Sequence, residues 1–442
     1  DGTNLGGKTC KTQGFVGGTL ACDPVTCRFV TTGCNKCGNG IIDSPEQCDT
    51  TAAPGVTCKG QGFTGGTMGC TDLCKHDTSS CYKVLDPGGV AISYQPREPS
   101  VACGGGKCLV VWYAYATKKI MARLVDPATG KLVGTSDIEI TTRTDQKGRT
   151  KVIWDGASFL TAWHDYRNGT GLPAIMGALV TTAGVVLDKV NNLTLVAGQQ
   201  GVSMGYLVSD GSGSVLIHTI NNQPWAVKVG QNGLVNGSAS VKLNLGYSGQ
   251  PRSAALLPSG YAVGYGEFSS STWYGRMRMF DTSFKALGAA EITVQPNSYA
   301  AAPMLAPLGT THYVGVWIDQ NKANKVWIFY PPTQAYANCS AGVVSCSNGD
   351  CLTPKAAGGA GKALFIRVVK GASSTRLEAV GIDKSCAGFT PPLTLRSDHG
   401  TAKIAEHEID VAHYGSGYIA VWIDDRLHPA SSPDLYFARI HW

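Results

Sequence analysis

Three groups of residues in this 442-residue chain have types and spacings that could do chemistry. The first sets an acid beside a base. Asp165 and Arg167 follow Trp163, Asp424, Asp425 and Arg426 follow Trp422, and Asp319 follows Trp317 without an arginine. An acid next to a base in a cleft can move protons. The pattern recurs along the chain, however, whereas an active site needs one asymmetric set, so it reads as a turn cap with an ion pair. The second group is aromatic: Tyr113, Tyr115, Tyr166, Trp225, Trp273 and Tyr274. Aromatic faces beside polar groups suit sugar rings, and the competing reading packs most of these rings between sheets. The third group is Asn39, Asp43, Glu46 and Asp49, four oxygen-bearing side chains in one short stretch. Such a loop can hold calcium, but short Asn and Asp side chains also cap turns, and capping is the preferred reading. Calcium is the one cofactor the residues suggest.

Other signatures are missing. There is no His-Glu-x-x-His and no phosphate loop. His407-Glu408-Ile409-Asp410 with His413 lacks metalloprotease spacing and reads as surface histidines on a strand. The net charge of +6 is spread without a basic run, which argues against a nucleic-acid partner. No apolar run is long enough to span a bilayer as a helix.

Sixteen cysteines, ten of them before residue 82, imply disulfides and an oxidising compartment. Cys34-x-x-Cys37 is the only short knuckle, which disfavours zinc. Two units align here. Cys10, Cys22, Cys27 and Cys34 correspond to Cys58, Cys70, Cys74 and Cys81, and Gly14-Phe15-Val16-Gly17-Gly18-Thr19 corresponds to Gly62-Phe63-Thr64-Gly65-Gly66-Thr67. The second unit has a front piece, Cys37-Gly38-Asn39-Gly40 through Cys48-Asp49. These residues resemble the cysteine-rich repeat of myxobacterial secreted and surface proteins, CGNG-x-x-D-x-x-E-x-CD. Asp1 precedes Cys10 by the interval that separates Asp49 from Cys58, so the first unit lacks a front piece and further repeats are expected upstream of a processed start. Nearest spacing pairs Cys10 with Cys22, Cys27 with Cys34, Cys37 with Cys48, Cys58 with Cys70 and Cys74 with Cys81. Farther on it pairs Cys103 with Cys108 and Cys346 with Cys351, leaving Cys339 for Cys386.

The elements that must position all these residues are strands. An apolar strand ending in a large residue recurs with that residue at Trp112, Trp163, His218, Tyr265, Trp317, Arg367 and Trp422. A strand-rich period near 50 residues points to a radial β array. The expectation is an all-β chain: a disulfide-rich repeat region over residues 1–82, then a seven-bladed β-propeller over 83–442. The seventh repeat ends after three strands, and Val84-Leu85-Asp86 repeats Val186-Leu187-Asp188. Residues 83–94 are therefore expected to supply its fourth strand and close the ring.

For function, the sequence favours a secreted or cell-surface protein that binds without catalysis. A polysaccharide, matrix or cell-surface component would be held by Tyr113, Tyr115, Tyr166, Trp225, Trp273 and Tyr274. A propeller-based polysaccharide hydrolase or lyase is the alternative, and a self-associating polymer subunit is a third reading.

Overall fold

The computed structural model describes the chain apart from residues 1–3, 16, 36, 39, 43–45, 52–53, 190–191, 232, 234–239, 246–248, 270–271, 296–302, 319–322, 332–334, 345–349, 353, 360, 373, 387–391, 399–403, 416 and 427–432, and gives only the backbone for some further strand residues. Two compact units emerge, one over residues 1–84 and one over residues 85–387 and 392–441.

The first unit has little apolar material, and disulfides take the place of a core. Its two repeats fold alike. A 3-10 turn follows Cys10 at Lys11–Gln13 and another follows Cys58 at Lys59–Gln61. A two-residue bridge then pairs Gly18 with Cys34 and Gly66 with Cys81. Both glycines are obligatory: their φ angles are 97° and 108°, and an added Cβ would meet the carbonyl oxygen of Gly33 or Ser80 at 2.1 or 2.2 Å. That is the physical content of the repeated Gly-Gly-Thr.

The antiparallel bridge corrects the nearest-spacing scheme. It brings Cys34 to Cys10 and Cys81 to Cys58, and these pairs are bonded with Cα separations of 5.4 and 5.5 Å. Cys37 bonds Cys74 and Cys48 bonds Cys70, stapling the front piece onto the second repeat. Cys22 and Cys27 are free thiols, so the expected Cys10–Cys22 and Cys27–Cys34 bonds do not form. Each bridge contributes about 2–4 kcal/mol by constraining the unfolded chain. In the second unit Cys103 bonds Cys108 across a hairpin turn. Cys351 and Cys386 are also disulfide-bonded, with partners that lie outside the described residues.

The second unit is a seven-bladed β-propeller. Each blade is an antiparallel meander. The second blade runs Lys147–Trp154, Phe159–Asp165, Ala174–Val180 and Leu193–Val196. The other blades occupy residues 96–139, 202–242, 249–295, 304–344, 350–397 and 404–441. The repeated large residue ends up buried on the second strand of every blade, from Trp112 and Trp163 to Arg367 and Trp422. Apolar clusters then glue neighbouring sheets together. Leu109, Val111 and Ile120 of the first blade pack on Val152, Phe159 and Trp163 of the second, and Ile419, Val421 and Phe437 of the seventh pack on Val101 and Trp112 of the first.

The seventh sheet takes its fourth strand from before the first blade. Val90–Tyr94 pairs antiparallel with Asp434–His441, setting Val90 against Phe437 and Tyr94 against Asp434. Asp86 locks this arrangement by taking Arg439 Nε at 2.8 Å, while Arg439 Nη1 donates to Pro127 O and Ala128 O of the first blade.

The acid-base turns are structural. Trp163 Nε1 donates to Asp165 Oδ2 at 3.1 Å, and Arg167 grips the same carboxylate at 2.8 and 2.9 Å. Trp422, Asp424 and Arg426 repeat the arrangement. In the fourth blade Glu267 occupies the position of the aspartate and pairs with Arg276 from the next strand. Asp319 lies outside the described residues. Burial pushes the Asp165 carboxyl up, but the hydrogen bonds from Arg167 and Trp163 outweigh it, and the net shift is downward. A depressed folded-state value means that this stabilisation is complete at neutral pH and disappears as pH falls through the folded value. Asp165→Ala removes the acceptor of the buried Trp163 indole N–H and the carboxylate paired with the partly buried Arg167, so we expect a loss of about 1–3 kcal/mol in urea unfolding. A change below about 1 kcal/mol would show the cap to be dispensable.

Candidate functional site

The first strand of each blade lines the propeller axis, so its register decides which side chains reach the centre. Opposite the residue that precedes the buried large residue stand Ser100, Lys151, Tyr206, Ser253, Met304, Lys355 and Asp410. These seven positions are equivalent, one per blade, yet chemically unlike. A seven-fold scaffold therefore carries an asymmetric ring of groups at its waist.

Just before this ring, the first strands of five blades lose register. The breaks fall between Arg97 and Ser100, Gly148 and Lys151, Met204 and Tyr206, Pro251 and Ser253, and Ile404 and Ile409. β-bulges re-aim side chains and are common beside functional sites. Here they carry Glu98, Arg149, Arg252 and Glu408. Glu98 and Arg149 have φ of 51° and 52°, a left-handed conformation uncommon for such residues.

Two cavities occupy the axis. The wider, about 670 Å³, is walled by first strands of all seven blades and is mostly apolar, with Ala102, Ile153, Leu207, Ala255 and Leu305 among its walls. The narrower, about 260 Å³, is lined by Glu98, Arg149, Lys151, Tyr206, Arg252 and Lys355. Lys151 and Tyr206 border both. Four cations from the second, fourth and sixth blades thus meet at the narrow end.

Hydrogen bonds hold the frame of this site. Asp410 Oδ2 accepts from Ser100 Oγ at 2.8 Å and from Val101 N at 3.1 Å, joining the seventh blade to the first. Glu408 accepts from Glu98 N at 3.1 Å, the Glu98 carboxylate accepts from Arg149 N, and Arg149 Nη1 donates to Ser203 Oγ. Burial, reinforced by Lys151, lowers the Lys355 ammonium to about 8, with Asp410 pulling the other way. Burial, and then Asp410, pushes the Tyr206 phenol far above its ordinary value, so it stays protonated. Burial also lowers Arg252, with Arg149 adding to the effect, and raises Glu408. His164 falls to about 4 through burial and Arg149, so its Nε2 is a neutral acceptor for Met204 N.

The aromatic residues fall on the same propeller face as the narrow cavity, at the ends of second strands and the starts of third strands. Tyr113 is opposite Arg97 and buried, and Tyr115 is 62% exposed with the Arg97 guanidinium over its ring. Tyr166 packs on His164, and Tyr274 packs on Arg276. Trp225 is half-buried opposite His218. The Trp273 side chain lies outside the described residues. The structure joins Tyr113 to Tyr115 and leaves Tyr166, Trp225 and the Trp273-Tyr274 pair on three other blades. His413 lines the wide cavity against Tyr418 and is not a surface histidine. Of the residues read as a calcium set, Asn39 and Asp43 lie outside the described residues. Asp49 is buried and accepts from Gly38 N and Gly40 N, which caps the front-piece turn.

Sequence reasoning missed Arg149, Lys151, Tyr206, Arg252, Lys355 and Asp410. A signal was present. The waist residue precedes the buried large residue by twelve positions in six repeats and by thirteen in the fifth, a column that reads Ser, Lys, Tyr, Ser, Met, Lys, Asp.

No protein family model and no curated protein matches this chain. Among solved structures, the ulvan lyase of polysaccharide lyase family PL25, solved alone and bound to -[GlcA(1-4)Rha3S]-, superposes with a TM-score of 0.51 at 9% identity, covering 80% of this chain and 95% of the lyase. A thermostable family-43 glycoside hydrolase matches with a TM-score of 0.36 at 8% identity, over 81% of this chain and 93% of that one. The likeness to the ulvan lyase shows a shared fold.

The cation cluster is directly measurable. Carbon-13 dimethylation of the lysines and a nuclear magnetic resonance titration should place Lys355 near 8. Lys151→Met should move that midpoint upward, because the neighbouring ammonium disfavours a second charge. A Lys355 midpoint above 10 would mean that the amine is in open solvent.

Proposed function

We propose that this protein is an extracellular polysaccharide lyase that seats a uronate in the narrow end of its propeller channel. The observation that carries the reading is the convergence of Arg149, Lys151, Arg252 and Lys355 on one cavity with the protonated phenol of Tyr206. The likeness to the ulvan lyase supports the enzymatic reading over binding without catalysis. The GlcA-containing ligand of the ulvan lyase suggests the substrate class. The disulfide-stapled first unit suits an extracellular setting.

A uronate resists loss of the proton α to its carboxylate because charge accumulates on the carboxylate oxygens. Cations held at those oxygens stabilise that charge as it develops. In this reading Arg149 and Arg252 hold the carboxylate. Lys355, neutral in a substantial fraction of molecules near pH 8, takes the α proton. Tyr206 donates its proton to the departing glycosidic oxygen. The C–H and C–O bonds break, a C=C bond forms, and no water is consumed. Tyr115 and Tyr166 at the mouth supply faces for neighbouring sugars.

The test is incubation with a panel of uronate polysaccharides, following the ultraviolet absorbance of the unsaturated product. Tyr206→Phe should lower kcat by about 10²- to 10⁴-fold while binding persists. Arg252→Ala should mainly weaken binding. The rate should climb as pH rises through about 8, where Lys355 loses its proton while Tyr206 keeps its own. New reducing ends without absorbance would replace elimination by hydrolysis. Binding without either product would restore the non-catalytic reading.

A further inference from the structure

Four cations border the narrow cavity, and the acids nearest them are already engaged. Asp410 accepts from Ser100 Oγ and Val101 N, the Glu98 carboxylate accepts from Arg149 N, and Glu408 accepts from Glu98 N. Lysines elsewhere in the propeller have partners. Lys107 is paired with Asp126 and Lys119 with Glu139, while Lys147 Nζ donates to Arg143 O and Asp145 O. Among the described residues, Lys151 Nζ and Lys355 Nζ have no hydrogen-bond or ion-pair partner. Positive charge is therefore in excess around a space of about 260 Å³. A charge removed from water is kept by a partner or lost with its proton. Lys355 tends to the second course. Burial, then Lys151 and Arg252, lower its ammonium to about 8, with Asp410 opposing them. Its neutral amine is a nucleophile facing open space.

We propose that Lys355 is a carbamylation site, where carbon dioxide adds to Nζ and the carbamate lies among Arg149, Lys151 and Arg252. The amine lone pair forms an N–C bond to the carbon of carbon dioxide. One C=O π pair moves onto oxygen, and one proton leaves Nζ for water. The neutral amine becomes a singly charged anion, nothing is oxidised or reduced, and carbon dioxide is the sole co-reactant. Two features of the cavity favour this outcome. The neutral amine is the reactive form, and the cations that disfavour an ammonium at Nζ favour an anion there. An exposed lysine has neither advantage, because its ammonium dominates at neutral pH. The consequence for turnover rests on the lyase reading above. A carbamylated Lys355 has no basic lone pair for the α proton, and its anion competes with the uronate carboxylate for the same arginines. Carbon dioxide then acts as a reversible brake on elimination.

The experiment uses the whole chain carrying nitrogen-15 at every lysine Nζ, held near pH 8 with carbon-13 bicarbonate. Nuclear magnetic resonance should show one enriched carbamate carbon split by a bonded nitrogen-15, which excludes the α-amine. Lys355→Arg keeps the bulk and the charge and should abolish that signal. Lys151→Met should lower the carbamylated fraction at least about tenfold, since it raises the Lys355 midpoint and removes a cation from beside the carbamate. Three results would overturn the proposal: no split resonance from the folded chain, a split resonance that survives Lys355→Arg, or an unchanged fraction in Lys151→Met. Elimination assayed with and without bicarbonate separates the two readings. A split resonance together with bicarbonate inhibition supports both. The resonance without any elimination upholds the carbamate and removes the lyase, and elimination without the resonance does the reverse.

Discussion

Each blade of this propeller is apolar on both faces, and that condition governs the rest of the architecture. A sheet so composed is stable only between two others, and a linear stack would leave two faces and two edges exposed. Seven sheets bent into a ring satisfy every face. The buried large residue on each second strand fills the widening space between blades, so it recurs through the sequence while its identity changes. Arg367 can replace tryptophan there because Glu378 takes its guanidinium at 2.8 Å in the same buried space. The requirement is for filled volume and satisfied hydrogen bonds, not for an indole as such.

The same geometry explains how a repetitive fold acquires one asymmetric site. Repeats must agree where blades touch each other. They are free to differ where first strands face the axis, because those side chains meet a cavity instead of a neighbouring sheet. Lys151, Tyr206, Lys355 and Asp410 occupy one register yet bring an ammonium, a phenol and a carboxylate to it. Bulges at the entrance add Arg149 and Arg252, and Arg149 also ties its blade to both neighbours through Glu98 and Ser203. Burial and neighbouring charge then tune Lys355: cations near one another disfavour one another's charge.

How much of this could be read from the sequence follows from which contacts are local in the repeat. The tryptophan column was legible because burial constrains residue size at a fixed interval. The strand before the first blade was legible because Val84-Leu85-Asp86 copies a fourth-strand motif, and Asp86 proves to be the partner of Arg439. Disulfide pairing was not legible from spacing, since the bridge between Gly18 and Cys34 folds the chain past Cys22 and Cys27. The channel residues are hard to read for a different reason. Their column is defined by chemical variety, and a repeat shows in a sequence through similarity. Residue type alone marks Tyr113 and Tyr166, but their rings do not form the charged centre.

The closing strand also sets the order in which the ring can be built and lost. Val90 pairs with Phe437, so this sheet is complete only when nearly the whole repeat array has been made. Until then the last blade presents an unpaired edge, and contacts so distant in sequence are slow to form. Once formed, the strand acts as a latch: opening the ring requires peeling residues 90–94 from 434–437 and breaking the Asp86–Arg439 pair together. A barrier of that kind governs how long a protein survives among proteases more than how stable it is at equilibrium. Outside a cell, where nothing refolds a protein that has opened, lifetime is the quantity that matters.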